Sequence, residues 1–167
     1  MLVNAACVCR QLGGADVALL RALLEVFADA FDDAVTYLGS VPGDGYLARL
    51  LGKPHFIALV AIAGEQVAGG LAAYELDKFE QDRREIFIYD LAVAERHRRR
   101  GVATALINEL RRIASARGAY LMFVQADDGD DAAIALYETF GGASETAHQF
   151  DIEVPPPGEQ QVRTHQK

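Results

Sequence analysis

The segment Glu85-Ile86-Phe87-Ile88-Tyr89-Asp90-Leu91-Ala92-Val93 is β-branched, aromatic and apolar on both faces, and Arg98-Arg99-Arg100, Gly101 and a long amphipathic pattern follow it. A strand with two apolar faces belongs inside a sheet covered on both sides. From Gly101 to Arg117 the apolar residues Val102, Ala105, Leu106, Leu110, Ile113 and Ala114 fall on one helical stripe, and Gly118 is placed to end it. A central strand, a basic turn and a helix start, in that order, restrict the chain to an α/β (α+β) architecture.

The same order suits an anion. The first amides of a helix lack intrahelical partners and sit at the positive end of its dipole, so they can accept a pyrophosphate. Gly101 and the small Ala103 allow close approach to the backbone, and Arg98, Arg99 and Arg100 offer charge-assisted hydrogen bonds. No Ser, Thr, Asp or Asn stands at the expected N-cap, which leaves the helix start open to an external anion. On local sequence alone, Glu95 to Arg100 reads equally as a solvated turn or as a nucleic-acid patch.

Elsewhere, Ala5 to Leu12 reads as a strand, and Ala15 to Phe31 as a helix with Val17, Leu20, Leu23, Leu24, Phe27 and Phe31 on one face. A short helix is expected around Tyr46 to Leu51. Phe56–Ile62 and Gln66–Leu76 form a hairpin about Ala63-Gly64-Glu65. Tyr120 to Val124 reads as the next strand. Asp130 or Asp131 can cap a helix carrying Ala133, Leu136, Tyr137 and Phe140, closed by Gly141-Gly142, and His148 to Ile152 reads as a last strand.

One domain is expected over residues 1–153, since 167 residues with 51% hydrophobic content suffice for one core. The Pro-rich, polar stretch 154–167 is expected to be a mobile tail. Cys7 and Cys9 are two apart on a strand and point the same way, which disfavours a bridge, and His55, His97, His148 and His165 lack paired spacing, so no metal site is expected. The absence of a signal-like start or a ~20-residue apolar run implies a cytoplasmic, non-membrane protein. The net charge of −8 argues against nucleic acid and is compatible with a cationic partner.

Arg98-x-x-Gly101-x-Ala103, placed between a central strand and a helix, resembles the Arg/Gln-x-x-Gly-x-Gly/Ala signature of the GNAT superfamily. Ala135-Leu136-Tyr137-Glu138-x-Phe140-Gly141 is similar to that family's second landmark. Three further stretches, Ala72 to Gln81, Ile88 to Val93 and Val124 to Asp127, resemble aminoglycoside 3-N-acetyltransferases of the gentamicin type, and the likeness runs from about Leu12 to Ile152. Two departures bear on substrate range: Asp128 replaces the usual aromatic, and Gln149 the usual His before Phe-Asp-Ile.

The resemblance implies a single GNAT domain with a mixed, mostly antiparallel sheet, splayed central strands and flanking helices, and acetyl transfer from acetyl-coenzyme A to the 3-amine of a cationic aminoglycoside. As neither Cys7 nor Cys9 lies near the expected cofactor loop and no Ser-His-Asp arrangement is evident, transfer is expected to be direct, in a ternary complex. A polyamine, another small amine or a protein amino group are alternative acceptors, and a silent coenzyme A-binding module is another reading. A homodimer is implied by family habit.

By the same likeness, the cofactor lies on Leu91, Ala92, Val93, Arg98 to Val102, Ala103, Thr104, Asp131, Ala133 and Tyr137, with the amides of the strand meeting the thioester oxygen. Tyr137 is implied as the acid that protonates the departing thiolate, although its position on the apolar stripe also suits a core aromatic. Asp90, costly to bury in an apolar strand unless paired or functional, is a candidate for taking the amine's proton, and Glu85 could do so through water. Either is also readable as an ion-pair partner. Asp127, Asp128, Asp130 and Asp131 form an acidic loop past a strand end, readable also as a solvated loop that caps the next helix; Asp127, Asp128 and Asp130, with Glu80, Asp90 and Asp151, are the candidates for holding a polycation.

Overall fold

The computed structural model describes residues 7–156. It forms two compact units, divided between Asp131 and Ala132. The first contains a five-stranded sheet in the order β1 (Val8–Gln11), β2 (Phe56–Ala63), β3 (Gln66–Asp77), β4 (Arg84–Val93) and β5 (Ala119–Val124). Neighbours are antiparallel except β4 and β5, which run parallel because the helix between them returns the chain to the same end of the sheet.

Alternation along β2 shows how the sheet is covered. Phe56, Ala58 and Val60 pack in a cluster with Leu20, Leu23 and Phe27 of α1 (Val17–Phe31) and with Leu47 and Leu51 of α3 (Asp44–Leu51). Ile57, Leu59 and Ala61 point the other way, against Val102, Leu106 and Leu110 of α4 (Val102–Ala116). On β3, Gly70 is required by this packing: a Cβ there would lie 2.5 Å from Leu23 Cδ1. Its absence lets α1 rest directly on the sheet.

Cys7 and Cys9 are both free thiols and both pack on the α4 side, as alternation requires. Gly118, at φ +72°, ends α4 in the left-handed conformation open to glycine.

Three local features differ from the sequence expectations. A helix, α2 (Ala34–Leu38), follows α1, started by Asp33, whose carboxylate accepts a hydrogen bond from the Thr36 amide at 3.0 Å. Second, α3 begins at Asp44, two residues before Tyr46. Third, His148–Ile152 is not a strand: residues 142–156 have no regular structure, and Phe150 and Ile152 are exposed. Alternating apolar residues form a strand only when a ladder partner takes their amides. The expected strand start at Ala5 and most of the expected tail, 157–167, lie outside the described residues.

The second unit carries α5 (Asp131–Glu138), whose first residue belongs to the first unit. Thr139 Oγ1 donates to the Leu136 carbonyl at 2.6 Å, and Gly141, at φ +78°, terminates the helical path as expected.

Candidate active site

The two halves of β4 are held differently. From Arg84 to Ile88 the strand pairs with both β3 and β5, but β5 ends opposite Ile88. Beyond it only β3 remains, pairing Asp90 with Ala72, Leu91 with Leu71, Ala92 with Gly70 and Val93 with Gly69. The edge of β4 over residues 89–93 therefore has no strand partner among the described residues, which is the splaying expected at Leu91, Ala92 and Val93. Gly69 lets this end of β4 lie close, since a Cβ there would come within 2.7 Å of the Ala92 carbonyl.

After the open edge, a 3-10 turn at Glu95–His97 leads into the arginine run. Arg98 folds back, its Nε donating to the Val93 carbonyl at 3.1 Å, so this arginine fixes the turn against the strand. Arg99 adopts φ +59° and Gly101 φ +80°, two left-handed residues that swing the chain into α4. Gly101 is the N-cap and gives no side-chain cap, so the expected capless helix start is present. The space where a Cβ would stand at Gly101 is open, and Arg99 and Arg100 are exposed beside it. Free amides at Val102, Ala103 and Thr104, two exposed guanidiniums and an open approach fit a pyrophosphate.

His97 was not singled out by sequence. Its Nε2 is buried without a hydrogen-bond partner among the described residues, and burial together with Arg96 and Arg100 holds the imidazole below its usual pKa.

A bulge in β4 decides which way Asp90 points. The register with β3 passes from Ile88–Ala73 to Asp90–Ala72, leaving Tyr89 as the extra residue. Before the bulge, Ile86 and Ile88 face α4; after it, Leu91 and Val93 do. Asp90 is thereby turned to the opposite face, the one that carries Ala72, Tyr74 and Ala92 and is covered by α1 and α3.

There the Tyr37 hydroxyl of α2 donates to Asp90 Oδ1 at 2.9 Å. Tyr37 itself is wedged by Phe27 and Phe31, with ring centroids 5.6 and 5.7 Å away. Tyr74 and Tyr89 meet edge to face at 5.8 Å, and Tyr74 lies within the electrostatic reach of Tyr46, Tyr89 and Asp90. Burial pushes the Asp90 carboxyl above the usual carboxylate range, and the Tyr37 hydrogen bond opposes that rise. The Tyr37 hydroxyl is in turn raised, by burial and by the carboxylate it serves.

Glu85 shares Asp90's face because of the same bulge, but it sits opposite Leu76, four β3 positions from Ala72, or ~13 Å along the strand. It accepts a hydrogen bond from Tyr120 and pairs with Lys78 Nζ at 3.4 Å. Glu80 is likewise engaged, by Lys78 at 3.6 Å and Arg83 at 3.4 Å. The structure thus gathers Glu80 and Glu85 into one ionic cluster and leaves Asp90 apart from it.

Asp127, Asp128, Asp130 and Asp131 are all exposed, on a turn closed by the Asp130 amide donating to the Asp127 carbonyl at 3.1 Å. In the second unit Ala133 and Tyr137 are half-buried on α5, and Asp151 is exposed, accepting from Gln149 at 3.4 Å. Among the described residues no three His, Cys, Asp or Glu side chains gather as metal ligands would, and no helix is long and apolar enough to cross a membrane.

Residues 18–142 match the Acetyltransferase (GNAT) family. Among solved structures, an aminoglycoside acetyltransferase from an uncultured soil metagenomic sample is 51% identical, with TM-score 0.87, over 90% of this chain and 99% of its own. Another aminoglycoside acetyltransferase from such a sample, in complex with sisomicin, is 27% identical, with TM-score 0.82, over 89% of this chain and 97% of its own. A ribosomal-protein-alanine N-acetyltransferase from Brucella melitensis biovar Abortus 2308 shares the fold at 24% identity, with TM-score 0.69, over 90% of this chain and 100% of its own. No curated protein matches the chain. The open edge of β4, the capless start of α4 and the match over 18–142 together identify the chain as a member of the GNAT family of acetyltransferases, which draw their acetyl group from acetyl-coenzyme A.

Proposed function

We propose that this acetyltransferase modifies an amino group of an aminoglycoside, the 3-amine of a gentamicin-type compound, and so confers resistance. The observation that carries the reading is Asp90: a half-buried carboxylate with raised proton affinity, set among Tyr37, Tyr74 and Tyr89. Aromatic faces attract ammonium groups and pack against sugar rings, and a basic carboxylate takes a proton from an amine. The soil enzyme at 51% identity, itself an aminoglycoside acetyltransferase, supports this choice of acceptor.

In this reading the pyrophosphate of acetyl-coenzyme A rests on the amides of Gly101 to Thr104 with Arg99 and Arg100, and Arg98 braces the turn. The pantetheine arm lies along Leu91, Ala92 and Val93, where the unpaired edge of β4 supplies backbone hydrogen bonds, one of them to the thioester oxygen. Asp131 and Ala133 complete the cofactor contacts by family likeness. The amine nitrogen attacks the thioester carbon, its proton passes to Asp90, and the carbon–sulfur bond breaks. Tyr137 gives the thiolate a proton, so an acetamide and free coenzyme A result. Transfer is direct, in a ternary complex, without an acetylated protein.

Asp127, Asp128, Asp130 and Asp151 supply negative charge to the remaining amines of a polycation, and Glu80 adds to it from the ionic cluster it shares with Lys78 and Glu85. The test is release of coenzyme A thiol with gentamicin, sisomicin, kanamycin or spermidine, followed by NMR of the product. Acetylation of gentamicin at the 3-amine is the expected outcome. Turnover with spermidine alone would move the acceptor to polyamines and discard the resistance function.

A further inference from the structure

We propose that Tyr37 is a positioning residue that orients and electrostatically tunes Asp90; this rests on the reading of Asp90 as the proton acceptor. Two observations point to it. Among the described residues the Tyr37 hydroxyl is the hydrogen-bond partner of the Asp90 carboxylate, at 2.9 Å to Oδ1, which leaves Oδ2 for the incoming amine. The tyrosine is also held more firmly than a surface residue on a five-residue helix would be: Phe27 meets it edge to face, Phe31 stacks on it, and Asp33 caps the helix that carries it. A phenol held between two aromatic rings on a capped helix holds a carboxylate in one rotamer, where a water molecule would not.

The groups that titrate around the pair are Tyr37 and Asp33 at α2, Tyr74 on β3, Tyr89 on β4 and Tyr46 on α3. None is cationic, and among the described residues burial and the Tyr37 hydrogen bond are what shift Asp90. Burial makes the carboxylate basic, and Tyr37 limits that basicity by donating to the charged form. Without the hydroxyl, Asp90 would stay protonated to a higher pH and swing between rotamers, so the fraction of enzyme able to accept a proton would fall.

Tyr37→Phe keeps the ring and its stacking and removes only the donor. The test follows the Asp90 carboxyl by 13C NMR against pH in the wild-type protein and in Tyr37→Phe, the signal being assigned by its loss in Asp90→Asn. In parallel, kcat is measured with gentamicin and saturating acetyl-coenzyme A. In Tyr37→Phe the Asp90 titration moves to higher pH and kcat at neutral pH falls about tenfold, as for a misplaced reacting group, with acetyl-coenzyme A affinity unchanged. An unmoved titration with unchanged kcat overturns the proposal while leaving Asp90 as base, provided Asp90→Asn is inactive. Full activity of Asp90→Asn overturns both.

Discussion

Glu85 and Asp90 lie on one strand and, because of the bulge at Tyr89, on one face of the sheet, yet their surroundings are opposite. Glu85 stands where β4 is paired on both sides, and its oxygens are taken by Lys78 and Tyr120. Asp90 stands where β5 has ended and, among the described residues, meets a phenol and no cation, with burial raising its proton affinity. The first carboxylate is engaged by a cation and a phenol. In the proposed reading the other exchanges a proton at the edge where the strand is open. What separates them is the point at which the parallel neighbour stops, not the residue type.

The largest effect that sharpens this contrast is expected from Asp90→Asn: a loss of at least about a hundredfold in kcat at neutral pH, as for removal of a general base, measured as thiol release with gentamicin. The same substitution bears on stability with the opposite sign. A carboxyl whose folded pKa is raised stabilises the fold fully only at low pH, and that contribution is lost as pH rises through the raised value. Asp90→Asn, permanently neutral and still able to accept from Tyr37, should therefore melt no lower than wild type above neutral pH. A large drop in Tm would instead make Asp90 a structural partner like Glu85.

A smaller effect is expected from Gly101→Val. At φ +80° a β-branched residue costs about 1–2 kcal/mol, so acetyl-coenzyme A should bind roughly tenfold more weakly by calorimetry. The smallest is Glu85→Gln, which loosens a partly exposed ionic cluster: stability by urea titration should fall by about 1 kcal/mol, with turnover at the wild-type level.

Most of the scaffold was legible because it rests on local periodicity. The hairpin at Gly64, the two-faced β4, the stripe of α4 and the glycine stops at Gly118 and Gly141 are each written within one segment. So is the open helix start at Gly101, where the missing cap residue is itself the signal. The environment of Asp90 was not legible. Ala34-Val35-Thr36-Tyr37-Leu38 is too short to show a helical period, and only the Asp33-x-x-Thr36 spacing hints at its cap. Tyr37 therefore could not be connected with a residue 53 positions later. Nor does Tyr89 look different from its neighbours, although as the bulge residue it sets the direction of every side chain after it.

His148–Ile152 marks the converse limit. Its alternation is local, but a strand also needs a partner, which local pattern cannot supply. The identity of Glu85 as an ionic partner was open for a similar reason, since Lys78 and Tyr120 come from the β3–β4 connection and from β5.

The most direct measurement is the ratio of wild-type kcat to that of Asp90→Asn as a function of pH, with one aminoglycoside acceptor and saturating acetyl-coenzyme A. Ionisation of the acceptor amine is common to both enzymes and cancels in the ratio. If Asp90 takes the proton, the ratio approaches one at low pH, where the wild-type carboxyl is already neutral, and climbs to a plateau as pH passes its raised pKa. A ratio near one at every pH would contradict the account and return proton acceptance to Glu85 or to solvent.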